Sequence, residues 1–323
     1  MGLFVNNINS WTYPPFNYRK DYMGGTERLA KYVVENILPK MTNIKKYNAF
    51  ICPGFLPAEK SFMEMKKPII MWMHTTVQEF EKYQLKNFRI GEFGEKVDRF
   101  ITVSEFHKQN LIENGNIDPE KITVINNGIN KLYFNENNFK NVKKVKIINT
   151  SSEDRFLDVA LRSLKYIEED FIFEFYNGFY PDKYLSLDKE LTNTLNDPRT
   201  FFYGRTPKKT IIKKLQESHI YGYPLIGLET FCLSQVEAMS AGLLPIYNSK
   251  TALPEISNNF GIPYFAPEND IEEHAKIFAK NLSDGIKLIK SGEYDPSEQI
   301  EFINNSYSWE AIEKKWLDFD KTL

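Results

Sequence analysis

Two glutamates seven residues apart carry the most chemical information in this chain. They lie in Gly227-Leu-Glu-Thr-Phe-Cys-Leu-Ser-Gln-Val-Glu-Ala-Met-Ser-Ala-Gly242, with Glu229 just before an expected helix start and Glu237 inside that helix. Carboxylates accept hydrogen bonds from sugar or ribose hydroxyls, and a helix N-terminus attracts phosphate. On this reading Phe231, Cys232 and Leu233 supply the unpaired N–H groups of the first turn. Glu237 stands roughly 6–8 Å further along the axis. A ligand with hydroxyls at both ends and phosphates between them fits this spacing, and a nucleotide sugar is such a ligand. The competing reading is a solvated glutamate on an amphipathic helix. Val236, Ala238 and Met239 surround Glu237 with apolar neighbours and argue against it.

The elements that must position these residues alternate along the chain. Gly2–Ile8 reads as a short strand, and Gly24-Gly25 opens a helix with Leu29, Val33 and Ile37 on one face and Pro39 closing it. Asn48–Cys52, Pro68–Trp72, Arg99–Val103 and Lys121–Ile125 are strand candidates, with a helix from about Glu105 to Asn114. The polar stretch Asn135–Lys144 is the expected linker. Beyond it the alternation restarts with strands at Val145–Asn149, Phe171–Tyr176, Thr200–Tyr203, Ile220–Leu225 and Leu244–Tyr247, and helices near Phe156–Tyr166, Lys208–Ser218 and Leu233–Ala241. Such alternation implies parallel sheets covered by helices on both faces, with ligands held at the carboxyl ends of the strands. The expectation is therefore an α/β protein of two Rossmann-like, doubly wound domains facing a cleft, residues 1–142 and 143–303, with a last helix over 304–323.

Bulk properties narrow the function class. The chain has 323 residues and a net charge of −2, which disfavours a general nucleic-acid binder. Residues 1–143 hold 20 Lys and Arg against 15 Asp and Glu, while the remainder holds 21 against 28. Ordinary surface variation accounts for that asymmetry; peripheral contact of the basic half with an anionic membrane is the alternative. Two cysteines, Cys52 and Cys232, make no disulfide framework, and neither a signal pattern nor a membrane-length apolar run is apparent, so a cytoplasmic location is expected. No G-x-G-x-x-G, G-x-x-x-x-G-K-[ST] or H-E-x-x-H pattern occurs, and the histidines and cysteines lack zinc spacing.

The stretch from Glu229 to Ile246 resembles the E-x7-E signature of retaining glycosyltransferases with the GT-B fold, in particular family 4, which includes phosphatidylinositol mannosyltransferases and many polysaccharide enzymes. Further blocks follow in the same order. Gly24-Gly25-Thr26-Glu27 resembles the family's N-terminal glycine loop, and Trp72-Met73-His74 its strand ending in histidine. Phe100–Phe106, Ile122–Asn130 and Ser306-Tyr-Ser-Trp309 resemble three later blocks.

The resemblance implies roles. Glu229 would bind donor-sugar hydroxyls and Glu237 the ribose, with the amides of Phe231, Cys232 and Leu233 near sugar and diphosphate. Gly24 and Gly25 would let the backbone approach the donor phosphate, although a glycine pair is by itself only a tight turn. His74 would meet a hexose hydroxyl, where a lone histidine is otherwise a structural hydrogen-bonding residue. The family's usual Gly-Arg is replaced here by Thr150-Ser151, which leaves Arg155 in Ser151-Ser-Glu-Asp-Arg155 as the clear diphosphate cation. Arg205 in Tyr203-Gly204-Arg205 is a second candidate, beside the base or the diphosphate. Asp318-Phe-Asp320 mimics a metal motif but lies in a terminal amphipathic segment and is rejected.

The expected activity is metal-independent transfer of a hexose, with retention, from a nucleoside-diphosphate sugar to a hydroxyl of a glycan, lipid or other glycoconjugate. No cofactor is expected. The alternatives are a nucleotide-sugar 2-epimerase of the same fold and a non-catalytic partner that only binds a sugar nucleotide. The last helix is expected to pack toward the first domain, which is short for this family.

Overall fold

The computed structural model describes residues 3–6, 25–47, 49–52, 68–79, 94–176 and 194–323, and these divide into two compact units. The first comprises Met1–Gly128, Glu229–Phe231 and Tyr307–Leu323; the second comprises Ile129–Leu228 and Cys232–Ser306.

The first unit begins with β1 (Leu3–Asn6) and α1 (Gly25–Tyr32). α1 continues through a π turn at Val33–Ile37 into a 3-10 turn at Leu38–Lys40, where Pro39 cannot extend an α-helix. Leu29, Val33 and Ile37 are all buried, as their spacing requires. β2 (Ala49–Cys52), β3 (Ile69–Trp72), β4 (Arg99–Thr102), α2 (Glu105–Gly115) and β5 (Ile122–Val124) follow. The strands lie in the order β1-β2-β3-β4-β5. β2 to β5 are parallel, but β1 pairs antiparallel with β2, Leu3 opposite Cys52, which departs from the all-parallel expectation. Ile69, Met71, Phe100 and Leu111 pack into one core, each burial contributing about 1.5–3 kcal/mol.

The second unit carries β6 (Val145–Asn149), α3 (Leu157–Ser163), β7 (Phe171–Phe175), β8 (Thr200–Phe202), α4 (Lys208–Gln216), β9 (Ile220–Tyr223) and α5 (Leu233–Ser240). β10 (Leu244–Asn248), α6 (Leu253–Ser257), β11 (Ile262–Tyr264), α7 (Ile271–Ser291) and α8 (Ser297–Tyr307), up to Ser306, complete it. The sheet is parallel throughout. Its order is β8-β7-β6-β9-β10-β11, so the first strand of the unit, β6, lies between the second, β7, and the fourth, β9. That is the doubly wound order of nucleotide-binding folds, and its switch point lies between β6 and β9. α7, a helix absent from the sequence-based expectation, packs on α3 and buries Phe278, Leu282, Ile286 and Ile289, a period that marks an amphipathic helix.

The boundary between units falls at Gly128–Ile129, not at 142–143. The expected linker is an integral part of the second unit. It folds as a 3-10 turn at Glu136–Phe139, and Phe139 packs edge-on against His219. Polar composition concealed that single aromatic anchor.

The chain ends in α9 (Trp309–Thr322), within the first unit. Trp316 meets Trp72 edge-to-face at 5.2 Å, and Trp309 stacks on Tyr32 at 3.7 Å. Trp309 also lies against Gly128, where a Cβ would fall 2.2 Å from the indole. Asp320 accepts hydrogen bonds from the amides of Thr42, Asn43 and Ile44 at 2.7, 3.1 and 2.7 Å. Its carboxylate thus has a structural occupation, and Asp318 pairs with Lys321. Among the described residues no helix is long and apolar enough to cross a membrane.

Candidate functional site

In the second unit the site is assembled at the switch point. β6 ends at Asn149, whose side-chain amide donates to the carbonyl of Gly222 in β9 at 2.7 Å. The Asn149 side-chain oxygen accepts from the Ser151 amide at 2.7 Å and turns the chain into the segment bearing Arg155. The Arg155 carbonyl then accepts from the Ile226 amide at 2.7 Å. The loop holding the candidate cation is therefore bonded directly to the loop leading to Glu229. On the other side Asn248, ending β10, donates to the Leu225 carbonyl at 3.1 Å. These two buried asparagines stitch three strand ends together. Sequence reasoning missed both, although an asparagine ending an apolar strand is a visible signal of a polar tie.

α5 opens at Leu233 with Cys232 as N-cap and no side-chain cap. The first-turn donors are thus the amides of Leu233, Ser234 and Gln235. The expected set of Phe231, Cys232 and Leu233 meets this one at Leu233, and the Phe231 amide approaches Glu229 Oε1 at 3.4 Å. Cys232 is buried, its sulfur 3.3 Å from the Ser234 hydroxyl. Glu237 lies one turn into the helix and forms an ion pair with Lys208, a partner the sequence did not suggest.

Arg205 lies exposed in the loop after β8. The preceding Tyr203 stacks on Tyr176 at 4.6 Å, and both phenols donate to the buried Glu174 carboxylate. Burial, with Glu174 adding to it, pushes both phenols up, so both donors stay protonated.

In the first unit a second constellation gathers around Glu229–Phe231. Glu229 is buried, 7% exposed. The Thr230 hydroxyl donates to the His74 carbonyl at 2.8 Å. The Ser104 hydroxyl donates to the Thr230 carbonyl at 2.7 Å and, as N-cap of α2, accepts from the His107 amide at 3.0 Å. His107 Nε2 lies 2.9 Å from the Thr75 carbonyl, so the neutral ring holds its proton there. Thr230, His74, Thr75, His107 and Ser104 form one closed ring of contacts.

His74 lies two residues beyond β3, its imidazole tilted against Trp72 at 4.5 Å. Its Nε2 is buried without a hydrogen-bond partner among the described residues. Burial, with His107 nearby, pushes this imidazole down to about 3. Burial likewise pushes His107 down to about 4, with the Thr75 carbonyl opposing. A neutral imidazole with an unpaired buried nitrogen is suited to a hydroxyl and unsuited to an anion. Gly25 is the first residue of α1 and half-buried. Gly24 lies outside the described residues. No group of three or more His, Cys, Asp or Glu among the described residues is arranged to hold a metal ion.

Comparison with known families follows the same division of the chain. Residues 9–131 match the model Glycosyltransferase Family 4, and residues 157–298 match Glycosyl transferases group 1. The chain belongs to the family 4-like glycosyltransferases of the GT-B fold. Among solved GT-B structures, a glycosyltransferase from Rickettsia africae ESF-5 superposes with a TM-score of 0.63 at 19% identity, over 93% of this chain and 83% of that one. HepE of Anabaena, solved with UDP and glucose, gives 0.63 at 16% identity, over 80% of this chain and 72% of that one. A human relative, one component of phosphatidylinositol N-acetylglucosaminyltransferase, is 24% identical over 229 residues, 68% of this chain. The chain matches 44% of that relative's length.

Proposed function

We propose that this glycosyltransferase moves a hexose from a nucleoside-diphosphate sugar to an acceptor hydroxyl on a glycan, lipid or other glycoconjugate, with retention and without a metal. The reading is carried by one observation, the hydrogen bond between the Ile226 amide and the Arg155 carbonyl at the switch point. It brings the loop of the candidate cation to the loop of the candidate sugar ligand, where doubly wound sheets hold their ligands.

Each residue then has a role. Glu229 accepts hydrogen bonds from hexose hydroxyls, and neutral His74 offers its free nitrogen to another. Arg155 and the first-turn amides of α5 balance charge on the diphosphate, and Glu237 accepts from the ribose diol. In the reaction the bond from the anomeric carbon to the phosphate oxygen breaks, and its electron pair leaves with the nucleoside diphosphate. The acceptor oxygen bonds to the anomeric carbon from the same face and passes its proton to the departing phosphate oxygen. The protein contributes position and charge, which matter most where no covalent intermediate forms. The UDP and glucose bound to HepE support a nucleotide sugar as donor.

The test is thermal-shift screening against UDP-, GDP- and ADP-sugars, since a bound ligand stabilises by mass action. The stabilising donor is then incubated with candidate acceptors, and the product's anomeric configuration is read by NMR in the presence of EDTA. An α-linked product from an α-linked donor is expected. Inversion, or full dependence on added metal, contradicts the proposal. Release of a free 2-epimer from donor alone selects the epimerase, and binding without any transfer selects the non-catalytic partner.

A further inference from the structure

α4 begins in a way its own sequence does not favour. Lys208 and Lys209 occupy its first turn, no acidic residue accompanies them, and Pro207 at the N-cap makes no side-chain bond. Cations at a helix N-terminus oppose the macrodipole. Where a local rule is broken, a compensating contact elsewhere is expected. Here that contact is on α5. Lys208 Nζ donates to Glu237 Oε2, with the two side chains 28% and 15% exposed.

Lys208 engages one carboxylate oxygen and leaves the other, Oε1, without a partner among the described residues. A glutamate that must accept from a ribose hydroxyl gains from being held in one rotamer beforehand, because the ordering entropy is then spent on folding and not on binding. Arg205, three residues earlier, is exposed and among the described residues makes no such bond to α5. The Gly-Arg cation that the resemblance leads one to expect is absent at Thr150-Ser151.

We infer that Lys208 is a positioning residue of the donor site: it fixes Glu237 through Oε2 so that Oε1 receives a ribose hydroxyl. This rests on the donor-site reading given above.

The test uses calorimetry on the full chain with UDP, GDP and ADP, carrying forward the tightest binder and its 2′,3′-dideoxy counterpart. Wild type should lose about tenfold in affinity when the hydroxyls are removed. Lys208→Met should weaken the parent nucleotide about tenfold and shrink the dideoxy penalty below about threefold. Lys208→Arg should recover most of both. Glu237→Gln should abolish the penalty, and adding Lys208→Met to it should cost little more, since the two act as one unit. Circular dichroism and urea midpoints confirm that each variant is folded. Unchanged affinity in Lys208→Met, or weakened affinity with the full dideoxy penalty intact, overturns the inference. If wild type binds none of the three nucleotides, the donor-site reading falls and the inference with it, a result distinct from either variant outcome.

Discussion

The Thr230 hydroxyl and the His74 carbonyl are 2.8 Å apart, and that bond ties the residue after Glu229 to the segment that follows β3. Thr230 is itself held through its carbonyl by Ser104. A residue bonded through both its hydroxyl and its carbonyl has little freedom, and this fixes the backbone from which the Glu229 side chain extends.

Replacing Thr230 by Val keeps the shape and removes the donor. The His74 carbonyl then loses a buried bond that contributes about 0.5–1.5 kcal/mol. The expected result is a urea midpoint lowered slightly and transfer slowed by about tenfold. Thr230→Ser should retain near-normal turnover. Equal turnover in wild type and Thr230→Val contradicts a positioning role for this bond.

The histidines give a pH dependence of defined sign. Burial depresses His74 to about 3 and His107 to about 4 in the folded chain. Their unfolded values lie near 6.5, so as pH falls the unfolded chain binds protons first. The stability they contribute is complete above about pH 6.5 and is lost as pH drops toward the folded values. Between pH 6 and pH 4.5 the loss approaches about 1.4 kcal/mol per pH unit for each histidine. Urea melts across that range should show the slope, and His74→Asn should flatten it. Carbon-labelled imidazole spectra should show both rings neutral at pH 5. Titration of either ring near pH 6.5 contradicts the account.

Asp320 behaves oppositely in chemistry and alike in direction. Burial opposes its ionisation, but the amides of Thr42, Ile44 and Asn43 outweigh burial and hold the carboxyl below its usual range. Its contribution is present above the unfolded value of about 3.9 and disappears as pH falls through the folded one. Asp320→Ala strands these buried donors and should cost about 2–4 kcal/mol at pH 7. The variant should also lose the part of the acid transition lying below pH 4. A loss under 0.5 kcal/mol, on the order of a surface change, contradicts the capping role.

Much of the second unit was legible because period and spacing are local. The junction of β9 and α5 follows from an apolar run, a turn and a helix start, and it places Glu229 and Glu237 correctly along the chain. The contacts that decide the site are not local. Lys208 meets Glu237 across 29 positions, Asn149 meets Gly222 across 73, and Thr230 meets His74 across 156. No pattern within one element announces such pairs. The helix start at Leu233 was legible in the sequence, and its first-turn amides, those of Leu233, Ser234 and Gln235, follow from that start. The need for glycine at position 128 is likewise set by a distant residue, the Trp309 ring, which leaves no room for a Cβ.

In the proposed reaction Glu229 binds the sugar of a nucleotide-sugar donor and does not hold the nucleotide. Glu229→Ala should be measured twice on the same folded protein, for nucleoside-diphosphate affinity by calorimetry and for hexose transfer by product formation. Affinity is expected to stay within about twofold of wild type and transfer to fall by about 100-fold or more. Near-normal transfer in that variant would contradict this role of Glu229.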